Sequence, residues 1–469
     1  MSLNSTISQL RELLKIRCFN LGVTMKKLSL KTSFGFAIGD IGGNLYFSLV
    51  GFIFLFYLTD ELGLSGALAG TAMMIGKIWD AISDPIVSSL SDRCKSKFGR
   101  RRPFIFWGAL LLFTLLVITF SLPKFSSKVT TFIVYTIMFS LLNTSFTLVN
   151  IPYSSLQPEL TDDYNETTKL TGLRMFFAII GTLLAVLGRP IAEYFGTDNR
   201  GWTYMAVILG LIMLISSWIT VFTVEESKIA KKKQKSVFLS FKEALINKEF
   251  IFALIPWVLF VTAVTVIQTS FLYYFKYIYN KEGLFELSLF GLIIVSLLSL
   301  PLWVIIAKRI DKGPSYILGM SIFSIGLILI YFLSPYSSPY TSVIIISFSG
   351  IGFSTHYIMP NAIIPDIIEL DYIRSGIRRE GVYYSIWNFL LKLGQALAGL
   401  VIGLTLDIVG FIPPVNGSKQ IVLQSKNTLD GIAFLCGPIP VFLLIIGILV
   451  LRKYPISINY YNMIKNEKY

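Results

Sequence analysis

An all-α membrane protein of twelve transmembrane helices, arranged as two six-helix halves, is the fold this sequence predicts. Three observations predict it. Of 469 residues, 54% are apolar and only 14% are charged, whereas a soluble chain carries about 25% charged residues. Twelve apolar runs follow one another along the chain, each near the roughly 20 residues that cross about 30 Å of hydrocarbon as a helix. Basic residues collect in every second loop. A soluble enzyme, a disordered chain, a collagen and a disulfide scaffold are excluded. Helix is the form each run must take, because backbone polar groups have no water to bind inside a bilayer.

Segment 1–32 carries Arg11, Lys15, Arg17, Lys26, Lys27 and Lys31 and reads as a cytoplasmic tail. It has no apolar core of a signal peptide. Met25 reads as the start, with Met25-Lys26-Lys27 leading into the first span. The competing reading is a short amphipathic surface helix over 7–16, through Ile7, Leu10, Leu13 and Leu14. The first span, 34–58, holds Gly39-Asp40-Ile41-Gly42-Gly43-Asn44, where the glycines allow helices to approach closely. The second, 66–91, holds Lys77-Ile78-Trp79-Asp80-Ala81-Ile82-Ser83-Asp84-Pro85 and leads into a loop rich in arginine. The third is 104–122. The fourth, 129–151, ends in Phe146-Thr147-Leu148-Val149-Asn150-Ile151-Pro152-Tyr153. The fifth, 170–192, has Arg174 near one end, and the sixth is 202–223. A basic linker, 224–249, joins the halves 33–223 and 250–452. Spans follow at 250–275, 286–307, 315–333, 340–364, 382–410 and 431–452. Segment 453–469 is a second tail.

Arg93, Lys95, Lys97, Arg100, Arg101 and Arg102 occupy the second loop. Lys228, Lys231, Lys232, Lys233, Lys235, Lys242 and Lys248 occupy the linker. Lys308, Arg309, Lys312, Arg374, Arg378 and Arg379 follow in later even-numbered loops. Odd-numbered loops are sparse, with Lys124 and Lys128 in one and Lys419 and Lys426 in another. Cytoplasmic loops collect Lys and Arg, so both termini are expected in the cytoplasm and the span count is even. The net charge of +14 thus reports orientation and not a nucleic-acid partner. The loop Lys308-Arg309-Ile310-Asp311-Lys312-Gly313 echoes the loop after the second span, as in transporters built from repeats. Cys18, Cys94 and Cys436 have no metal or disulfide spacing, and His356 is the one histidine. Zinc and triad chemistry have no residues to use, and no phosphate loop or nucleophile motif appears. No catalytic residue, enzymatic activity or organic cofactor is expected.

Asp80 and Asp84 lie four apart, on one helix face, with Cβ atoms about 5–6 Å apart. Each costs about 2.5–3.5 kcal/mol at mid-membrane. Two bare carboxylates also repel, so a proton or a bound cation relieves them. Ser83 adds a hydroxyl, and oxygen-rich anionic sites suit hard cations. The expected role is a Na⁺ or H⁺ site. A structural ion pair of Lys77 with Asp80 neutralises one acid and leaves the other. Asp40 is a further acid in or near the membrane, and Asn44, one turn on, suits a polar ligand. Thr147 and Asn150 share a face one turn apart, positioned toward the second span. Lys392 sits mid-span in Trp387-Asn388-Phe389-Leu390-Leu391-Lys392-Leu393-Gly394-Gln395 and needs an acidic or ligand partner. Arg174 either binds ligand or reaches for the interface. His356 is expected to be a hydrogen-bonded packing residue. Asp366, Glu369, Asp371 and Arg374 are expected in gate or interdomain ion pairs.

At these residues the sequence resembles the glycoside–pentoside–hexuronide:cation symporters of the major facilitator superfamily. The resemblance runs from about residue 33 almost to the end. It is carried by Lys77 to Pro85 with the loop Phe98-Gly99-Arg100-Arg101-Arg102-Pro103, by Asn150-Ile151-Pro152-Tyr153, by Arg174-Met175-Phe176-Phe177-Ala178, and by Tyr384 to Lys392 with Gly394. It implies the major facilitator fold and coupling to Na⁺, H⁺ or Li⁺. It implies cation ligands at Asp80, Ser83, Asp84 and Thr147, with Ser83 standing where the family pattern has an asparagine. It implies sugar contacts at Asn44, Asn150, Arg174, Trp387, Asn388 and Lys392, with Asp40 and Lys77 as possible additions. Asn44 and Asn150 replace two acids of the family pattern while Arg174 and Lys392 are kept, which points to an anionic sugar such as a uronide. A related branch that moves lysophospholipids keeps the same charged positions and stands as the alternative. A non-transporting receptor or scaffold on the same fold is the second alternative. The expected setting is the plasma (inner) membrane, as a monomer by analogy of fold.

Overall fold

The computed structural model describes residues 28–457 apart from 162–163, 197–198, 227–243, 334–336, 377–378 and 415–421, together with Tyr460 and Met463. Most of the amino-terminal tail, the linker and the carboxyl tail therefore lie outside the described residues. The first half comprises α1 (Leu30–Phe54), α2 (Gly66–Arg93), α3 (Arg102–Ser121), α4 (Lys128–Leu160), α5 (Tyr164–Val186, continued by Gly188–Phe195) and α6 (Asn199–Thr223). The second comprises α7 (Lys248–Ile278), α8 (Leu284–Ile310), α9 (Lys312–Leu333), α10 (Pro339–Ser375), α11 (Glu380–Ile408) and α12 (Lys426–Leu451). Side chains of Ser65, Ser127, Asn247, Ser338 and Ser425 accept a backbone N–H at the starts of α2, α4, α7, α10 and α12, satisfying a donor that helix geometry leaves unpaired.

Among the described residues, eleven of these helices are long and apolar enough to cross a membrane on composition alone. The twelfth, α2, interrupts its apolar run with Lys77, Asp80 and Asp84. Its opposite face still presents Ile75, Ile78, Trp79, Ile82, Ile86 and Leu90 outward, as a lipid-facing stripe requires. Two helices outrun the apolar signal. Helix α4 continues through Pro152 to Leu160, and α10 continues through Pro365 to Ser375, ending on Gly376 at φ 69°. A helix needs apolar residues only within hydrocarbon, so hydropathy marks the membrane and not the helix end.

The halves repeat one packing pattern. Helix α1 packs on α5 and α6, α2 on α4, and α3 on α4 and α6. In the same relation, α7 packs on α11 and α12, α8 on α10, and α9 on α10 and α12. Among the described residues, the halves meet chiefly through three helix pairs: α2 with α11, α5 with α8, and α1 with α7.

The junction is tightest at the end that carries the odd-numbered loops. A Cβ on Gly70 would stand 2.5 Å from the Gly399 carbonyl oxygen and 3.0 Å from the Gly403 Cα, so glycines let α2 and α11 touch backbone to backbone. Nearby, Lys276 Nζ lies 2.9 Å from Asp60 Oδ1, Tyr277 donates to the same carboxylate, and the Thr59 and Tyr273 hydroxyls meet at 2.6 Å. Arg189, buried at the end of α5, reaches Glu286 at 2.9 Å, Glu193 at 2.9 Å, and Glu282. Arg189→Gln strips the guanidinium from between three carboxylates. Breaking a buried pair costs about 3–5 kcal/mol, less here because Glu193 and Glu282 are partly exposed. The expected result is a lower thermal unfolding temperature in detergent, with partial recovery in Arg189→Lys.

At the opposite end, the Glu226 carboxylate accepts the backbone N–H groups of Arg100, Arg101 and Arg102 at 2.7, 2.8 and 2.7 Å, capping α3. Arg101 is fully enclosed and binds Glu159 and Asp92. Of the residues expected in gate or interdomain ion pairs, Asp366, Asp371 and Arg374 each have an ion pair inside the second half. Lys312 pairs with Asp366 at 2.5 Å, Arg374 with Glu249 at 2.8 Å and Arg379 with Asp371 at 3.4 Å.

Candidate functional site

Helices α2, α4 and α11 meet at the paired acids. Asp80 is 1% exposed and Asp84 is partly open. Thr147, on α4, holds its hydroxyl 2.9 Å from Asp80 Oδ1 and 3.1 Å from Asp84 Oδ1. Ser83 donates to the Asp80 carbonyl at 3.0 Å and lies 3.5 Å from the Thr147 hydroxyl. All four expected cation ligands are therefore brought together. The oxygens are those a small hard cation uses, so the residues present fit a Na⁺ ion or a proton.

The structure places Lys392 in this cluster. Its ammonium lies 2.9 Å from Asp80 Oδ1, 2.6 Å from Asp84 Oδ2 and 3.4 Å from the Asp80 carbonyl. Such charge-assisted contacts are short and strong. In this conformation Lys392, expected to need an acidic or ligand partner, meets the two acids. Lys77 completes the group from the other side, 3.7 Å from Asp80 Oδ2 and 3.5 Å from Asn143 Oδ1. The Phe47 ring covers it at 5.8 Å. The ion pair of Lys77 with Asp80 exists, but it is one side of a four-charge cluster and not an alternative to it.

A second charged pair lies toward the same end of α1. The Arg174 guanidinium binds Asp40 through Nε at 2.5 Å and Nη2 at 3.1 Å and also donates to Gln157. The Tyr153 hydroxyl donates to Asp40 at 2.8 Å and has the guanidinium over its ring at 5.0 Å. Arg174 neither snorkels freely nor stands open as a lone cation. Asp40, Asn44, Phe47, Phe146, Asn150 and Leu391 are among the walls of a cavity of about 240 Å³. Asn44 spends one amide proton on the Asp40 carbonyl at 3.0 Å.

Trp387 is not brought to this cavity. It is 4% exposed and stacks on Trp257 at 5.1 Å, which stacks in turn on His356 at 4.6 Å. Asn388, the next residue, is exposed. His356 is also held by Phe260 at 4.9 Å, and its Nδ1 has no partner among the described residues. It packs by stacking, not by the hydrogen bond expected of it. Arg174 and Lys392, the two cations whose retention pointed to an anionic sugar, each carry an internal counter-ion.

Sequence reasoning missed Asn143 and Gln157. Asn143 accepts from Lys77 and from Tyr46, and donates to the Phe139 carbonyl at 3.0 Å. It lies one helical turn before Thr147, a signal that was present in the sequence.

The fold and this site define a transporter. The chain belongs to the family described as MFS/sugar transport protein, which it matches over residues 35–458. It is 30% identical to an uncharacterised symporter of Bacillus subtilis (strain 168), over 94% of each chain. It is 26% identical to the isoprimeverose transporter of Lactiplantibacillus pentosus, over 82% of each. It is 24% identical to the glucuronide carrier protein homolog of Escherichia coli (strain K12), over 92% of this chain and 94% of that one. Among solved structures, a D-xylose–proton symporter shares the fold with a TM-score of 0.63 at 15% identity, covering 89% of this chain and 96% of that one. These relatives are transporters and not enzymes, and the chain is an integral, multi-pass membrane protein of the sugar-transport class.

Proposed function

We propose that the chain is a secondary active transporter that moves a sugar together with Na⁺ or H⁺. Asp80, Ser83, Asp84 and Thr147 take the cation. Asn44, Asn150, Asn388 and the Asp40–Arg174 pair take the polar face of the sugar. One observation carries the reading: the cation ligands come from α2 and α4 of one half, while Lys392 enters from α11 of the other. Whatever fills the site therefore changes the contact between halves, which is what coupling requires. The halves 33–223 and 250–452 are the units that rock, with 224–249 as their tether.

The basic even-numbered loops support a cytoplasmic location for both termini, in the plasma (inner) membrane. On that orientation the closed odd-loop end faces outward. A sugar, not a lysophospholipid, is favoured by the two amides and the carboxylate in the cavity walls. A monomer is sufficient, since the site is built within one chain.

The test is uptake into proteoliposomes under an imposed Na⁺ or H⁺ gradient, with galactosides, glucuronides, pentosides and a lysophospholipid. One sugar is expected to accumulate only when a gradient is present. A sugar that equilibrates and never accumulates would make the chain a facilitator.

A further inference from the structure

Helix α10 is broken at Ser354, between its segments Pro339–Phe353 and Thr355–Ser375. Helix α8 packs closely along the first segment and only sparsely on the second. The two helices therefore part toward the end that carries the even-numbered loops, and a crevice of about 470 Å³ lies there. Its walls change character in the same direction on both helices. On α8, Val304 and Ala307 give way to Lys308, and on α10, Ile358 and Ala362 give way to Asp366. Ile358 and Asp366 are eight residues apart, about 12 Å of helical rise. Lys312, at the start of α9, spans the charged end, binding Asp366 at 2.5 Å and the Ala362 carbonyl at 2.8 Å.

Apolar depth beneath a charged rim is the shape of an amphiphile. An apolar space holds water poorly, so hydrocarbon is its natural filling. The sign of the rim sets the headgroup. Segments 304–312, 358–366 and 452–457 carry five bases and two acids. Lys312 already answers one of the acids, Asp366. Lys308 and Arg309 are exposed and have no ion pair among the described residues. The chain after α12 brings Arg452 and Lys453 to the same end. A Cβ on Gly313 would stand 3.4 Å from the Tyr454 ring, and Ile456, 7% exposed, lines the crevice.

We propose that this crevice binds an anionic phospholipid. The phosphate takes Lys308, with Lys312 beside it, and an acyl chain runs along Val304, Ala307, Ile358 and Ala362. The lipid braces the second half where α8 and α10 otherwise part. On the orientation proposed above it comes from the cytoplasmic leaflet, whose anionic lipids attract basic segments. The site shares no residue with the cation and sugar sites and does not depend on what is transported.

Bases near a membrane also draw anionic lipid without a built site, and two measurements separate the cases. In the first, lipid retention by the purified full chain is followed by native mass spectrometry, with phosphatidylglycerol, phosphatidylcholine and phosphatidylethanolamine at equal concentration. Phosphatidylglycerol is expected to be held about tenfold more tightly than the other two. Lys308→Gln should weaken it about fivefold. Ala362→Leu, which fills the crevice and keeps every charge, should weaken it too. Lys97→Gln, which removes an exposed base from the second loop, should leave it unchanged. Equal retention of the three lipids overturns the proposal. Equal weakening by Lys97→Gln and Lys308→Gln, or none by a folded Ala362→Leu, also overturns it. The second measurement needs no variant. Thermal unfolding of the wild type in detergent is recorded with phosphatidylglycerol, phosphatidylcholine or sodium phosphate added. Only phosphatidylglycerol is expected to raise the unfolding temperature. An equal rise with sodium phosphate would make this a free-phosphate site, and no rise with any of the three would leave no site; both overturn the proposal. Neither failure touches the symport reading, which sugar uptake tests separately.

Discussion

Asp84→Asn is expected to abolish gradient-driven accumulation while leaving a folded protein. The amide keeps the shape and a hydrogen bond to Thr147 but loses the charge that faces Lys392 at 2.6 Å. Loss of one charged ligand from such a pair is worth about 2–3 kcal/mol, so cation affinity should fall roughly 10²-fold. Asp84 is partly open, which lets the variant relax. Asp80→Asn is a harsher change. Asp80 is 1% exposed and touches both lysines, so its loss leaves the buried Lys77 without its carboxylate partner, whereas loss of Asp84 leaves both lysines on Asp80. Lower yield and a lower unfolding temperature are expected for it, and not for Asp84→Asn. Cation titration of the two purified variants, beside their thermal unfolding, checks both statements. Full accumulation by Asp84→Asn would make the acids of α2 structural.

Gly403→Val is expected to open the odd-loop end. A Cβ there points into the Gly66 carbonyl and lies 2.9 Å from the Gly70 Cα. Both obstacles are backbone and cannot swing aside, so α2 and α11 must separate. Overpacking of this kind costs about 1–3 kcal/mol, and about 2 kcal/mol moves a two-state balance by roughly thirtyfold. The readout is a cysteine introduced at Gln268, in the narrow cleft that Phe52 and Thr182 share with Phe271, with Cys18, Cys94 and Cys436 removed. An impermeant maleimide added on the odd-loop side should label it slowly in the parent and much faster with Gly403→Val. Equal labelling would show that the glycine contact does not hold that end closed.

Much of this site was legible in the sequence, for a physical reason. A charge inside an apolar helix is costly enough to stand out, so Asp80, Asp84, Lys392 and Arg174 announced themselves. The four-residue spacing put both acids on one face, and the resemblance supplied Thr147. Which base meets which acid was not legible. Three acids and three bases permit several pairings. The choice depends on α11 crossing α2 through Gly399 and Gly403, a tertiary contact no local pattern carries. Trp387 was misplaced for a simpler reason. Five residues before Lys392 on a helix is a rotation of about 140°, so the two cannot face one cavity. Asn388, four residues before, shares the Lys392 face and is exposed. The ends of α4 and α10 ran past the apolar signal because helix outlasts hydrocarbon there.

The central claim is that one site links a cation to a sugar. Linkage makes the claim reciprocal: the factor by which cation raises sugar affinity must equal the factor by which sugar raises cation affinity. The most direct measurement is therefore calorimetric titration of the purified protein with its transported sugar, with and without the coupling cation, and of the cation with and without the sugar. The account predicts two equal factors, both well above one and both lost in Asp84→Asn. Sugar affinity that is the same with and without every cation and at every pH would contradict it.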